Sequence, residues 1–148
     1  MDLSVSSKRD IFNGMLEPGF AFRMKGDEPF QSDSYHVFVV LNRNPKTGEC
    51  LILANSTSKV DKRKRTLNSL GIDPEKTTVM FKPGDYSFIT KETIFDCNSI
   101  NTIDIKDIPF AGDQIRFLSE NMREDDVQRL VAAVKNSPRV EPKYKSLL

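Results

Sequence analysis

Two short runs of apolar residues constrain the fold of this chain more than any other feature. Residues 37–41 read VFVVL and residues 50–54 read CLILA, and both runs are too short for globular helices and rich in residues that favour strands. Residues 44–48 between them include the Asn, Pro and Gly typical of a turn. We therefore predict one β-hairpin over residues 35–58. Because both arms are continuously apolar, each should be buried on both faces, as in the central strands of a curled sheet or small barrel.

The segment before the hairpin predicts a helix, a strand and a loop. Residues 8–16 place apolar side chains on one helical face and are followed by Glu17-Pro18-Gly19, a sequence that stops a helix. A strand is expected to start at residues 20–22. Residues 25–34 are expected to form a polar loop, which is long enough to be either a functional segment or a plain surface loop.

The segment after the hairpin predicts more strands. Residues 77–81, 87–89 and 93–97 have the short apolar cores of strands, whereas residues 67–76 lack a regular pattern. Several short strands in succession predict an antiparallel sheet that closes on itself. The predicted fold class is mainly β with flanking helices.

The clearest helix is predicted near the end of the chain. Asn121 and Glu124 have the spacing of a capping box. An apolar stripe with helical spacing follows, and it should pack the helix on the sheet; its members are Val127, Leu130, Val131 and Val134. Ser137-Pro138 then ends the helix.

The length of 148 residues predicts a single domain. Within it we assign residues 1–34 to an N-terminal helix and loop extension and residues 35–118 to the β-barrel. Residues 119–136 are assigned to the packed helix, and residues 137–148 to an extended tail.

Composition favours an ordinary globular protein of the cytoplasm. Hydrophobic residues make up 38% and charged residues 29% of the chain, and the 22 basic and 21 acidic side chains give a net charge of +1. This balance alone predicts neither a nucleic-acid nor a membrane partner. Cys50 and Cys97 have no CxxC spacing and are interpreted as buried thiols of a cytosolic protein. No apolar run approaches the roughly 20 residues that span a bilayer, so we predict no membrane contact.

Several common chemistries have no sequence signature in this chain. The scattered glycines form neither a GxGxxG nor a GxxxxGK[ST] motif, and no GxSxG motif is present. One histidine and two distant cysteines do not make a usual metal-ligand set. We therefore predict no cofactor and no metal site.

The densest basic stretch follows the second arm of the hairpin, in what is predicted to be a loop. Its amide, hydroxyl and cationic groups suit a nucleic-acid backbone, and they belong to Asn55, Ser56, Thr57, Ser58, Lys59, Lys62, Arg63, Lys64 and Arg65. Lys82 and Lys91 belong to a second polar cluster around the turn at Pro83-Gly84. A charge run in a loop is often only solvated, so binding and plain solvation both remain open.

RNA bound in such a loop can be cleaved without a metal. The ribose 2′-OH is then the nucleophile, side chains move protons and cations stabilise the phosphorane. His36 is the single histidine, the residue type that exchanges protons near neutral pH. A strand-end histidine that only binds the backbone is the alternative.

The order of motifs resembles a divergent branch of the MazF/PemK-like toxin superfamily. The segments that carry the resemblance are HVFVVLNRNPKTGECLILANSTS, VMFKPGDYSFITKETIFDC and NSPRVEPKYKSLL, so it covers roughly residues 35–148. It implies an SH3-like β-barrel, a homodimer, a metal-independent endoribonuclease activity on single-stranded RNA and an antitoxin partner.

The resemblance also implies site residues. The hydroxyl at the end of the second arm maps onto Thr57. The Gly-x-Arg-Pro loop of typical members has no match, and Arg43 is the nearest basic residue in an equivalent loop. Tyr86 and Lys91 occupy positions that hold histidines in the divergent branch. Arg43, Thr57 and His36 are thus the expected catalytic residues.

Three functions follow as hypotheses. The first is a toxin-like protein that binds and cleaves RNA. The second is a non-catalytic SH3-like module that binds nucleic acid or an acidic protein through the basic stretch. The third is a structural or regulatory protein that docks a partner through residues 139–148.

Overall fold

The predicted hairpin forms the centre of an antiparallel sheet. The computed structural model describes residues 4–26, 32–47 and 50–148, and in this part of the chain it contains seven strands and five α-helices. The strands are β1 Ala21–Gly26, β2 Ser32–Val40, β3 Leu51–Thr57, β4 Thr78–Phe81, β5 Thr93–Asp96, β6 Asn101–Ile103 and β7 Ile115–Phe117. The helices are α1 Val5–Met15, α2 Val60–Ser69, α3 Pro74–Thr77, α4 Glu124–Asn136 and α5 Pro142–Lys145, with a 3₁₀ turn at Ile105–Asp107.

The sheet has the order β4-β5-β3-β2-β1-β7. Strand β3 pairs with β2 along one edge, and along its other edge it pairs first with β6 and then with β5. A pairing of β4 with β7, which would close the sheet into a barrel, is not among the strand pairs of the described residues. The fold is therefore a mixed one, an open antiparallel sheet flanked by helices.

Both faces of the hairpin are buried, as the continuous apolar runs predict. One face carries Val37, Val39 and Ala54 and packs against a core that includes helix α4. The other face carries Phe38 and Leu53 and packs against a second core that includes helix α1. This double burial explains why neither arm shows the alternation of a half-exposed strand.

The prediction for helix α4 is correct in its packing and wrong in its start. The four predicted stripe residues are buried, but the helix begins at Glu124, and Arg123 at the N-cap position makes no side-chain cap. Asn121 lies too early to cap it. The Asn121 side-chain oxygen instead accepts a hydrogen bond at 3.3 Å from the backbone N–H of Ala21, which ties this segment to the start of β1.

The predicted basic loop after the hairpin is wrong, because residues 60–69 form helix α2. The helix presents only Val60 and Leu67 to the core, so its apolar stripe is too sparse to be recognised among the charges. Residues 74–76, expected to be irregular, and Thr77, expected to start a strand, form the short helix α3, and Asp73 caps it by accepting a hydrogen bond from the Glu75 N–H at 2.9 Å. Helices therefore interrupt the segment assigned to the barrel.

Residues 87–89 were expected to be a strand and instead belong to a turn. The Ile89 N–H donates to the Tyr86 carbonyl at 3.0 Å, and the Gly84 N–H donates to the Ile89 carbonyl at 3.1 Å. Phe88 and Ile89 are buried as anchors of this turn, which is why they resemble a strand core.

The N-terminal segment, which was assigned to a helix and loop extension, also contributes strands to the sheet. Strand β1 is present as expected and extends to Gly26, and β2 already begins at Ser32, so the predicted loop of residues 25–34 is shorter. Its middle, residues 27–31, lies outside the described residues, as does Gly48 of the hairpin turn.

The C-terminal residues are not an extended tail. Residues 142–145 form helix α5, and Val140 and Leu148 are buried in the core that contains α4. A segment that supplies core side chains is poorly suited to act as a detachable docking tail. Separately, none of the helices in the described ranges is long and apolar enough to cross a bilayer.

Candidate nucleic-acid interface

A groove of about 440 Å³ lies where the polar ends of the central strands meet the turn that precedes β5. We call it the basic groove. Val37, Phe88 and Ile89 contribute its apolar surface. Its polar lining comprises Arg23, Tyr35, His36, Ser56, Thr57, Ser58, Lys59, Thr90, Lys91 and Thr93.

Strand pairing brings the two polar ends of the hairpin together. Phe38 of β2 lies opposite Asn55 of β3, and the next antiparallel step brings His36 towards Thr57. Arg23 of β1 is opposite Val37 of β2, the residue next to His36, and both Arg23 and His36 line the groove. The apolar arms thus end in a polar site on the sheet surface.

The groove is electrostatically suited to an anion. Three cationic side chains border it, those of Arg23, Lys59 and Lys91, and its described lining contains no carboxylate. Hydroxyl groups between these cations can donate hydrogen bonds to phosphate oxygens. Such a lining fits the phosphodiester backbone of a nucleic acid.

The backbone orients His36. Its Nδ1 lies 3.3 Å from the carbonyl oxygen of Ser56, a distance at which a protonated Nδ1 donates a hydrogen bond. That tautomer leaves Nε2 unprotonated, which is the form a general base needs. The Ser56 hydroxyl itself donates to the Val37 carbonyl at 3.2 Å, so Ser56 serves mainly to hold the strand ends together.

Thr57 and Lys59 form a local turn at the end of β3. The Thr57 hydroxyl oxygen accepts a hydrogen bond at 3.2 Å from the Lys59 N–H. This side-chain bond resembles the turns that Ser and Thr commonly form, and it still leaves the Thr57 O–H as a donor. Thr57 therefore positions Lys59 and can itself contact a ligand.

The structure brings together six of the predicted site residues. His36, Ser56, Thr57, Ser58, Lys59 and Lys91 all line the basic groove. Arg43 lies elsewhere, beyond the opposite end of β2, and lines a separate cavity of about 520 Å³ beside helix α4. Its backbone N–H donates to the Leu147 carbonyl at 3.0 Å. The expected grouping of Arg43 with Thr57 and His36 is therefore not what the fold produces.

Asn55 and Arg63 lie beside the groove. With Ser56 and Thr57 they line a small cavity of about 30 Å³. Arg63 forms an ion pair at 3.7 Å with Asp96, a carboxylate that is only 6% exposed, so part of its charge is compensated by the protein. The Asn55 side-chain oxygen is buried and accepts no hydrogen bond from the described residues.

The remaining predicted cations do not line the groove. Lys62 and Arg65 are exposed and Lys64 is half-buried on helix α2, which distributes consecutive side chains around its axis. Lys82 is exposed in the turn before Tyr86, where its N–H donates to the Asp85 carboxylate at 2.8 Å. The helical conformation of residues 60–69 is the reason that the basic stretch does not act as one surface.

Sequence reasoning missed Arg23 and Tyr35. Arg23 falls two residues after buried Ala21, so strand alternation places it on the same face as that core residue. This signal is readable, but its meaning depends on the pairing of β1 with β2, which the sequence does not specify.

Within the described ranges, no group of three or more His, Cys, Asp or Glu side chains lies close enough together to hold a metal ion. Comparison with models of known protein families and with curated protein sequences finds no match for this chain.

Proposed function

We propose that this protein binds single-stranded RNA in the basic groove and cleaves it by attack of the ribose 2′-OH, with no metal required. The observation that carries the proposal is the composition of the groove: three cations, several hydroxyls and His36 around one space with no carboxylate in its described lining. Groups that bind phosphate and a group that can move a proton thus share one site.

Binding is assigned to the cations and hydroxyls. Arg23, Lys59 and Lys91 attract and contact phosphates, and Ser58 donates a hydrogen bond to a phosphate oxygen. An interaction of this kind weakens steeply as salt concentration rises, because bound phosphates release their counterions.

Cleavage is assigned to His36 with help from its neighbours. His36 Nε2 removes the 2′-OH proton, and the 2′ oxygen forms a bond to the adjacent phosphorus. The bond from phosphorus to the 5′ oxygen breaks, and that oxygen takes a proton from solvent. The products carry a 2′,3′-cyclic phosphate and a 5′-OH. Lys59 and Thr57 stabilise the charge that builds on the phosphorane oxygens.

The resemblance to MazF/PemK-like toxins agrees with this proposal but assigns a role to Arg43 that the proposal does not need. Its further implications are part of the proposal too: a divergent SH3-like barrel, a homodimer and an antitoxin that covers the groove. One edge of β3 pairs with β6 at its start and with β5 at its end. This change of partner along one edge supports a strongly curled sheet, because a strand that bends can pair with two strands in turn.

The test is to incubate pure protein with unstructured RNA in EDTA and to analyse the ends of the fragments. Fragments with 2′,3′-cyclic phosphate ends are expected, and RNA methylated at its 2′ oxygens should stay intact. His36→Asn should slow cleavage by about 10²-fold or more, the usual effect of losing a general base. Thr57→Ala should slow it less.

The matched control is Lys82→Gln, which removes an exposed lysine outside the groove and should leave the rate unchanged. Intact RNA, or wild type and Thr57→Ala protein with the same rate, would contradict the cleavage proposal. RNA binding without cleavage would favour the non-catalytic module instead.

A further inference from the structure

The cationic lining of the basic groove continues onto the neighbouring strands. Arg23 of β1 lies directly opposite Arg116 of β7 in the antiparallel register. Residues that are directly opposite project from the same face, with Cβ atoms about 5 Å apart, and like charges in this arrangement destabilise a sheet. Two facing arginines are therefore an unusual choice for a purely structural surface, and a bound anion would relieve their repulsion.

Tyr35 connects this pair to the groove. Its ring lies 4.1 Å from the guanidinium carbon of Arg116 and 4.6 Å from the ammonium nitrogen of Lys25, and Tyr35 itself lines the groove. We call Lys25, Tyr35 and Arg116 the cationic strip. Together with Arg23 it extends the positive surface from the end of β3 across β2 and β1 to β7.

One described carboxylate, that of Asp113, contacts the strip. Asp113 forms an ion pair with Arg116 at 2.8 Å, and its carbonyl oxygen accepts a hydrogen bond from the Tyr35 hydroxyl. The hydrogen bond from Arg116 lowers the pKa of Asp113. Arg23 and Lys25 form no ion pair with any described side chain, so among the described residues the strip, Arg23 and Asp113 together carry more positive than negative charge.

We propose that the cationic strip is a second subsite for the same RNA strand, which holds the phosphates next to the one in the basic groove. This inference rests on the proposed function and adds a direction to it: the RNA crosses the strands from β3 towards β7. Three strand spacings separate β3 from β7, or about 14 Å. Several linked nucleotides cover that distance, whereas a dinucleotide in the groove does not.

Arg116 gives the subsite a further feature. A guanidinium that rests on a tyrosine ring still presents its outer face, and such planes stack on unpaired bases. The strip therefore suits single-stranded RNA better than a duplex, whose bases are not available for stacking.

The test measures binding of uncleavable RNA that is methylated at its 2′ oxygens, as a dinucleotide and as a decanucleotide, over a range of salt concentrations. Arg116→Gln should weaken decanucleotide binding about tenfold, the effect of losing one charge-assisted contact, and leave dinucleotide binding unchanged. The slope of log affinity against log salt should fall by about 0.7 for each lost phosphate contact. Lys59→Gln in the groove should weaken both ligands.

Arg129→Gln is the matched control. Arg129 is 55% exposed and paired to an aspartate three residues earlier at 3.1 Å, compared with 52% and 2.8 Å for Arg116, but it lies on helix α4. Lys25→Gln is the second strip variant, and it replaces Arg116→Gln in the binding test if Arg116→Gln does not fold.

The outcomes separate the two proposals. If Arg116→Gln and Lys25→Gln lose no more affinity for the decanucleotide than Arg129→Gln, the second subsite is wrong, even where Lys59→Gln shows that the groove binds RNA. If the strip variants weaken binding and Lys59→Gln does not, the groove proposal fails and the strip stands as an RNA site. If the strip variants weaken binding of polyglutamate as much as binding of RNA, the strip is a surface for acidic proteins and its assignment to RNA is overturned.

Discussion

Asn42 shows how one buried side chain can hold the central hairpin together. It is 1% exposed, its amide donates to the Cys50 carbonyl at 2.8 Å, and its side-chain oxygen accepts from the Ile52 N–H at 2.6 Å. These two bonds lie beyond the pair of Val40 with Leu53, next to the backbone bond in which the Leu41 N–H donates to the Ile52 carbonyl at 2.9 Å. Asn42 thus completes a ladder that the turn would otherwise leave open.

Asn42→Ala should lower the free energy of unfolding by about 2–4 kcal/mol, because it removes two hydrogen bonds, one of them to the buried N–H of Ile52. Urea denaturation followed by circular dichroism measures this change. The control is Asn136→Ala, which removes a single hydrogen bond at 3.1 Å from an exposed asparagine and should cost below about 1 kcal/mol. Equal losses in the two variants would show that the Asn42 bonds do not stabilise the hairpin.

The sequence predicts the burial of some individual side chains and not of others. The prediction that Cys97 is buried is confirmed, and burial raises the pKa of its thiol to about 12, whereas Cys50 is only half-buried. Asn42 follows an apolar run and precedes a turn, so nothing in its position distinguishes it from an exposed turn residue. The partners that explain it are Cys50 and Ile52, in the other arm of the hairpin.

The junction between β1 and helix α4 depends on Gly19. Its backbone has φ +93°, a conformation that favours glycine, and an added Cβ would lie 2.6 Å from the Met122 carbonyl oxygen and 3.1 Å from a Val127 methyl group. The Met122 N–H also donates to the Gly19 carbonyl at 2.9 Å. Close backbone approach, and not only turn geometry, therefore requires glycine here.

Gly19→Ala should destabilise the protein by at least about 3 kcal/mol, since the strain of a left-handed alanine, about 1–2 kcal/mol, adds to a clash with backbone. Gly71→Ala is the matched control, because Gly71 has φ +72° but open space around its Cβ position. Gly71→Ala should be destabilised only by the strain of the left-handed backbone, about 1–2 kcal/mol. Thermal unfolding compares the two, and similar melting temperatures would mean that the segment around Met122 moves away without cost.

The predictability of each element follows from the density of its apolar pattern. The hairpin and helix α4 carry continuous or regularly spaced apolar residues, so both were predicted. Helix α2 has two core residues, Val60 and Leu67, among many charges, and the charges dominated the interpretation. Residues 87–89 show the opposite error: a strand was predicted where the chain forms a turn, because buried Phe88 and Ile89 give this turn the composition of a strand.

The candidate site was only partly predictable because it is assembled from distant parts of the chain. The hairpin supplies His36 and Thr57, which are neighbours through one local pairing and were recognised from the sequence. Arg23 and Arg116 lie far apart in the sequence and become neighbours only through the pairing of β1 with β7. Long-range pairings of this kind leave no local signal, so the cationic strip emerged only from the fold.

The wall of the basic groove is fixed to the rest of the molecule through Tyr86. Its hydroxyl donates to the Asp126 carboxylate at 2.5 Å and accepts from the Arg123 N–H at 2.9 Å, while the Arg123 guanidinium carbon lies 4.1 Å from the ring centre. The turn that contains Tyr86 continues into residues 88–91, which line the groove. Tyr86, at a position where the resemblance implies histidine, is therefore buried and ties the groove wall to helix α4.

This attachment predicts a specific loss of stability at alkaline pH. Burial and then the hydrogen bond to Asp126 raise the pKa of Tyr86 from 10.0 to about 12. Between these values the folded protein keeps a proton that the unfolded chain releases, so the stability contributed by Tyr86 is complete below pH 10 and is lost as the pH rises towards 12. Tyr86→Phe lacks both the hydrogen bonds and the titration. Urea denaturation of both proteins from pH 8 to 11.5 should show wild type more stable at pH 8 and the difference shrinking above pH 10. The other tyrosines are common to both proteins and cancel, so a difference that stays constant across this range would show that Tyr86 does not hold its proton through burial against helix α4.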